Sequence, residues 1–391
     1  MIEVEQARRL IMQQTTVLPV KEMPLQAAHR HFAAEDIMAP YDHPLFHNSA
    51  VDGYAFHSSP EIQEWRVIAE VAAGDMFNGI LGKDECLRIF TGARLPLCAD
   101  TVIMQEHVMR DGDRIRLNGD APKRGANVRL KGEQVRAGDV ILQKGDPLAP
   151  AAIGLLASVG VRKVRVHEWP YVTIVITGGE FSEEGSEDGK IFSSNDTMLS
   201  AALAALGVEP LILKAPDAKE PLREALRHAL SKSDLVITTG GVSVGDHDLV
   251  RPVLEEVGCK IIFHKVAQKP GKPMLFATDG DRIVLGLPGN PRAVMILFWM
   301  YVLPAVRKMM GASGPFLRSG PMALAHDVEL KGERSEFRAA RCHNGTVELL
   351  RDEGSHMLMS LMQADSLVHF SSTMRSARRG EMVEVHHLPQ P

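Results

Sequence analysis

The chain is poor in the features that would assign it quickly to several broad classes. Its 391 residues hold four cysteines, Cys86, Cys98, Cys259 and Cys342, with no C-x-x-C pair and no metal-ligand spacing. Such scatter excludes a disulfide framework and reads as reduced packing residues of a cytoplasmic protein. Neither charge dominates: 44 Lys and Arg stand against 49 Asp and Glu, a net charge of -5. That excludes a general nucleic-acid footprint, so any anion site must be local. The most apolar run, 293–303, is too short to cross a membrane and meets Pro304, so it reads as a core helix. The first residues, MIEVEQARRL, lack the basic and apolar regions of a signal peptide. No internal repeat or low-complexity tract is present. What remains is 45% apolar and 24% charged, an ordinary globular composition, at a length that implies about two to four domains.

Periodicity divides the chain. Residues 3–15 read as an amphipathic helix with Val4, Ala7, Leu10 and Ile11 on one face, and a second helix is expected over 25–34. From 40 to 129 short alternating runs (65–71, 87–90, 102–108, 114–117) are separated by turn residues, with Asp111-Gly112-Asp113 as a hairpin turn. This predicts a small β domain over 40–129 inserted into a discontinuous one, 1–39 plus 130–169, to which a helix at 149–159 returns the chain. From 170 to 312 strands (172–176, 211–213, 235–239, 261–265, 283–287) alternate with helices (197–206, 221–230, 249–257, 293–310). That alternation is the pattern of a mostly parallel α/β sheet. Gly311–Pro315 reads as a linker, and runs at 328–330, 347–350 and 382–386 predict a C-terminal β domain over 313–391.

The densest signal is SDLVITTGGVSVGDHD at 233–248, a β-branched strand, a glycine loop and an acidic helix start. Gly240 and Gly241 permit positive φ and close backbone approach, and the loop N–H groups would face an anion, typically phosphate. Asp246 and Asp248 would repel that phosphate unless a divalent cation such as Mg2+ lay between them. The loop is neither a Walker A sequence nor a GxGxxG fingerprint. An ordinary strand-to-helix turn with acids on the helix dipole also fits, and the loop alone leaves both readings open.

Its neighbours tip the balance. TGGE at 177–180, Asp217, GGVSVGDHD, KPGKP at 269–273 and GLPGNP at 286–291 each follow the carboxyl end of an expected strand. In an open α/β sheet that edge is where ligands bind. Lys265 and Lys269 share strand parity, which would turn both to one side, and Pro270 and Pro273 stiffen the turn carrying Lys272. Asn290 is a plausible helix N-cap with Pro291 in the first turn. Upstream, Asn48 to Tyr54 offers Asp52 before a glycine, and 90–93 offers Thr91 before Gly92. His43, His47 and His57 lack zinc spacing. No Ser/His/Asp set or reactive cysteine indicates covalent catalysis.

Taken together, NSAVDGYA, FTGARLP, RLKGEQVRAGDVI, TGGE, GGVSVGDHD, KPGKP and GLPGNP resemble the molybdopterin molybdenumtransferase (MoeA) family, which includes the E domains of gephyrin and its plant counterpart. The motifs occur in family order and span nearly the whole chain. The resemblance implies insertion of molybdate into adenylylated molybdopterin, with release of AMP and molybdenum cofactor and help from Mg2+. It also implies an α/β molybdopterin-binding domain and a homodimer whose cleft joins the α/β domain of one subunit to the inserted domain of the other. Molybdopterin adenylyltransferase and molybdoenzyme clients would be its partners. By position, Asp52, Glu180, Asp217 and Asp248 are the implied catalytic residues, with Asp217 and Asp248 on the metal. Thr91, Gly92, Gly240, Gly241, Ser243, Gly245, Lys265, Lys269, Lys272, Pro288 and Pro291 are the implied substrate contacts. Arg94, Gln134, Ala293, Arg338 and Asp365 depart from the family pattern. They motivate two other readings: a paralogue that binds or delivers cofactor without inserting metal, and an assembly scaffold.

Overall fold

A computed structural model describes residues 1–178, 190–242, 249–330, 332–351, 354 and 356–389. The amphipathic N-terminal segment forms helix α1 (Val4–Gln14), which buries Val4, Ala7 and Ile11 as the 3.6-residue spacing requires. The helix expected over 25–34 does not form. Only one 3-10 turn, Leu25–Ala27, is present. Arg30 takes φ 71, and Phe32 and Ala33 bridge to Pro147 and Val166 instead. Pairing with distant chain has overridden the helix propensity of Gln26-Ala27-Ala28.

The main strands of the alternating region are β1 (Gly53–Phe56), β2 (Glu64–Val71), β3 (Glu85–Ile89), β4 (Thr101–Met104), β5 (Val108–Asp111) and β6 (Arg114–Leu117). They make one sheet in the order β4-β1-β3-β2-β6-β5. Asp111 pairs with Arg114 across Gly112-Asp113, so the expected hairpin is there. The single run expected at 102–108 is split into β4, a 3-10 turn and β5. Outside this sheet, Val20–Pro24 pairs with Lys163–His167, and Ile37–Met38 with Val140–Leu142. The segments flanking the sheet are thereby drawn together, beside the helix Pro150–Ser158.

The third region gives β7 (Val172–Thr177), helix α2 (Asn195–Ala204), β8 (Leu211–Ala215), β9 (Leu235–Thr239), β10 (Lys260–His264), β11 (Leu275–Asp279) and β12 (Arg282–Leu287). Their order is β8-β7-β9-β12-β11-β10. Strands β7, β8, β9 and β12 are parallel, while β11 runs antiparallel to both neighbours. Strand β11 has no counterpart in the sequence reading. Because it reverses direction, the segment between β10 and β11 still emerges at the carboxyl edge of the parallel strands. Helix α3 (Pro291–Leu297) then continues through a π turn, Phe298–Val302, into a helix at Leu303–Met309. The wide turn carries the helix past Pro304, whose missing N–H would otherwise break the bonding ladder.

After an irregular 311–315 the chain closes a small barrel. Strands β13 (Ser335–His343), β14 (Ser366–Phe370) and β15 (Met382–His387) join Ser319–Leu324 and Thr346–Leu349, and β14 pairs back onto β13. Closure leaves no free strand edge within the ring. Gln268–Lys269 adds to β13 in parallel, which ties the α/β region to the barrel. One apolar core runs through α1, the α/β sheet and the barrel, with Ile11, Ile174, Leu285, Phe337 and Leu367 among its members.

A methyl group at Gly53 would lie 1.9 Å from the carbonyl oxygen of Ile103, so β1 and β4 approach as closely as they do only because this residue has no side chain. Gly53→Ala should force these strands apart and destabilise the sheet by about 1–3 kcal/mol. Thermal denaturation should show an earlier transition, and an unchanged midpoint would mean that the strands part freely.

Candidate functional site: adjoining cavities at the sheet edge

Strands β7, β9 and β12 pair in register through Ile176, Thr239 and Leu287, so their following loops leave the sheet side by side. Gly240 and Gly241 have φ of 88 and 62. A Cβ at Gly240 would meet the Thr177 carbonyl oxygen at 2.6 Å. The positive φ and close approach expected of this loop are therefore present. These glycines line a cavity of about 560 Å³ with Thr177, Asn195, Thr239, Pro288 and Pro291. Asn195, at the start of α2, donates from Nδ2 to Thr239 Oγ1 and to the Gly289 carbonyl, both at 2.8 Å. Its buried Oδ1 accepts no hydrogen bond. Asn195 thus stitches three edge loops together and offers a free acceptor beside the cavity. The sequence reading missed it, although the polar cluster Ser193-Ser194-Asn195-Asp196 ahead of a helix is a start signal.

A second cavity, of about 290 Å³, adjoins the first through Pro273, Pro288 and Asn290, which line both. Its wall carries five cations, Lys269, Lys272, Arg292, Arg334 and Arg338, against one carboxylate, Glu336. Glu336 is 4% exposed. It accepts from Arg338 Nε and Nη2 at 2.9 and 2.7 Å and lies 4.0 Å from Lys269 Nζ. Arg292 donates to the Met357 carbonyl and to Ser360 Oγ, and Arg334 to the Gln268 carbonyl at 3.4 Å. Lys269 and Lys272 are exposed. Chemically the arrangement suits an oxyanion, because the arginines are braced by the protein and two lysines remain exposed. Arg292 could have been suspected as the one charge in an otherwise apolar helix. Arg334 and Glu336 reach the cavity by tertiary pairing, which no local signal announces.

Lys265 lines neither cavity, and the shared strand parity of Lys265 and Lys269 is not observed. Strand β10 ends at His264, Lys265 takes φ 77, and Lys269 belongs to the short strand paired with β13. The reason is tertiary: Lys265 is held by Ile2 N–H and by the Met274 carbonyl, which turn the chain out of the α/β sheet. Asn290 occupies the N-cap position of α3, but its side chain makes no capping bond. Glu180, Ser243, Gly245, Asp246 and Asp248 lie outside the described residues. Asp217 sits in an exposed bend just after β8 and lines neither cavity.

Asp52 and Thr91 meet each other in the inserted sheet. Thr91 donates to Asp52 Oδ1 from both N–H and Oγ1, each at 2.8 Å. Gly92 N–H bonds the Ser49 carbonyl and Ser49 N–H the Ala93 carbonyl, so the two motifs are laced together. This exposed pair and Gly92 line neither cavity of the same chain. His57 pairs with Asp100 at 3.2 Å and His47 accepts from Lys131 N–H, and both are exposed, as surface residues are. Burial pushes the Cys86 and Cys259 thiols up to about 12 and about 11, so neither is a ready thiolate.

Three family models cover the chain in order: "MoeA N-terminal region (domain I and II)" over 2–160, "Probable molybdopterin binding domain" over 173–308 and "MoeA C-terminal region (domain IV)" over 321–388. Molybdopterin molybdenumtransferases of Staphylococcus aureus and Staphylococcus epidermidis are 33% and 38% identical over 98% of this chain and 95% of theirs. The chain belongs to the MoeA family. A molybdopterin biosynthesis MoeA protein from Pyrococcus horikoshii has the same architecture, with a TM-score of 0.82 at 30% identity over 99% of this chain and 100% of its own. The departures from the MoeA pattern fall in two groups. Ala293 and Arg338 line the cationic cavity. Arg94 stacks over Phe46, the Gln134 N–H bonds the His43 carbonyl, and Asp365 accepts from Cys342 N–H.

The Thr91 N–H, then its hydroxyl, hold the Asp52 carboxyl below the usual carboxylate range. The stabilisation from this pair is therefore present above the unfolded-state carboxyl pKa and is lost as pH falls through the depressed folded value. Thr91→Val keeps the backbone donor and removes the other, so the Asp52 pKa should rise part of the way back. Carboxyl-carbon NMR titration reads this directly, and an unmoved pKa would assign the whole shift to the backbone.

Proposed function

We propose that the two cavities bind adenylylated molybdopterin and molybdate, and that the protein inserts the metal with release of AMP and molybdenum cofactor. The observation that carries this reading is the pairing of a glycine-floored cavity with a strongly cationic one through a shared wall. The first offers close backbone approach for the phosphate of the pterin substrate, held by Gly240 and Gly241 with Ser243, Gly245, Pro288 and Pro291. The second offers a dianionic oxyanion more positive charge than it brings. Lys269 and Lys272 would hold molybdate while Arg338, fixed by Glu336, sets the geometry. Positioning and charge stabilisation then carry the reaction.

Glu180, Asp217 and Asp248 would serve the pyrophosphate end. Asp217 makes no hydrogen bond or ion pair among the described residues, and carboxylates suit a hard cation. Asp217 and Asp248 would hold Mg2+, which supplies charge neutralisation on the phosphoanhydride. Asp52, Thr91 and Gly92 line neither of these two cavities in their own chain, which supports a homodimer in which they complete the partner's cleft. Among the described residues no helix is long and apolar enough to cross a membrane. A cytoplasmic enzyme supplied by molybdopterin adenylyltransferase and serving molybdoenzyme clients fits this reading. Arg338 lines the cationic wall despite its shifted position, which weighs against a merely binding paralogue.

AMP release from adenylylated molybdopterin, molybdate and Mg2+ is the direct test, and its absence in folded protein would refute the reading. Lys269→Gln with Lys272→Gln should raise the molybdate concentration for half-saturation about tenfold or more, since each lost charge-assisted bond costs about 1.5–3 kcal/mol. Unchanged saturation would assign the lysines elsewhere.

The shared cleft predicts complementation. Asp52→Ala and Asp248→Ala chains, each inactive alone, should regain activity when mixed and allowed to exchange subunits. Each heterodimer carries one doubly damaged and one intact cleft, so about a quarter of all clefts should work. If exchange is verified by tagged-chain pull-down and no activity returns, each chain builds its cleft alone.

A further inference from the structure

The barrel holds a second cluster of functional groups behind the wall of the cationic cavity. His369 on β14 pairs with Glu384 on β15, and His386 follows two residues later on the same face. His369 Nδ1 lies 3.0 Å from one Glu384 oxygen, and His386 Nε2 lies 3.7 Å from the other. One ligand atom from each of the three residues falls within 4.8 Å of the others, the one such group among the described residues. Phe337, which lines the cationic cavity, stacks on the His369 ring at 4.6 Å and 9°.

Ordinary packing does not account for this cluster. His386 is 1% exposed, and neither of its ring nitrogens has a hydrogen-bond partner; His369 Nε2 is also buried and unpartnered. A buried imidazole with an unmet lone pair is costly, and a barrel strand could carry an apolar residue there instead. Nor does a strong cation neutralise Glu384. Arg8 on α1, whose charge reaches both Glu384 and His386, donates to Glu5 at 3.2 Å and stacks over Phe316 at 4.9 Å.

We propose that His369, Glu384 and His386 form a His2Glu site for a divalent transition metal of the zinc class, distinct from the carboxylate site for Mg2+. Two imidazoles and one carboxylate are a zinc donor set, whereas Mg2+ and Ca2+ take oxygen. Tetrahedral zinc with ligands at about 2.0–2.2 Å spaces them about 3.3 Å apart. The wider separations, which reach up to 4.8 Å, must therefore close around the ion. Glu384, with its side chain 47% exposed, has the freedom to close, and water completes the fourth position. Each neutral imidazole would give the ion a lone pair, so no redox step or net proton loss is needed. The ion would cross-link β14 to β15 and stiffen the Phe337 wall.

The test uses full-length, untagged protein stripped with chelator and then given zinc in excess Mg2+, which occupies the oxygen site. About one equivalent of zinc per chain should survive gel filtration. Co2+ in its place should give the intense visible bands of a four- or five-coordinate nitrogen–oxygen site. Glu384→Gln, an exposed change whose fold circular dichroism can verify, should weaken zinc binding at least about tenfold, as should His369→Gln. Asp217→Asn with Asp248→Asn should retain the zinc. Absence of zinc from wild-type protein, full retention by Glu384→Gln, or loss in the Asp217/Asp248 variant would each overturn the assignment.

Discussion

The cleft depends on β9 having a parallel partner on each side. Val236 to Thr239 pair with 173–176 of β7 and with 284–287 of β12, and every one of these residues is buried. Strands buried on both faces have no solvent-facing alternation and so cannot slip register without exposing apolar side chains. Fixed register brings Ile176, Thr239 and Leu287 level at one edge. The loops beyond them must then share a small space, which is why Gly240 packs against the Thr177 carbonyl and why Asn195 can reach both Thr239 and Gly289. The binding edge follows from the packing of the sheet.

The cationic cavity is governed by a different constraint. Five cations cannot share one wall without a counter-charge, and the counter-charge is a single buried carboxylate. Glu336 spends both hydrogen bonds from Arg338 on one oxygen and leaves the other facing Lys269. This orders one arginine while leaving the lysines exposed. Such a wall stays strongly positive, so a bound dianion would relieve repulsion as well as form new bonds.

Much of this was legible in the chain. Strand β9 was bounded to the residue, and the glycine pair, the lysine turn and the GLPGNP turn were placed on the correct edge, because glycine, proline and β-branched residues act locally. Strand β11 escaped because it is antiparallel, and alternating βα reading expects none. The long strand β13 escaped because its partners are remote in sequence. The helix expected at 25–34 failed for the complementary reason: its residues favour helix, but Phe32 and Ala33 find strand partners more than 110 residues away. Lys265 failed because its backbone is held by Ile2, a contact that no pattern near position 265 contains.

The most consequential of these remote pairings is Gln268–Lys269 with Ser335–Glu336. Two residues of the α/β region become an added strand of the barrel, and that addition sets Lys269 opposite Glu336. The side chain of Gln268 is fully buried and bonded to Tyr301 of the long helix, with its amide nitrogen on the Pro270 carbonyl. One residue thus fixes the lysine turn to the barrel, to the helix and to itself. The cationic cavity exists only where barrel and α/β region are docked, so a change that loosens their contact would dissolve the cavity before it touched the glycine floor. Phe337 stands on the same strand, with the cavity on one side of its ring and His369 stacked on the other. Order in the histidine cluster is therefore passed through Phe337 to the wall of the cationic cavity.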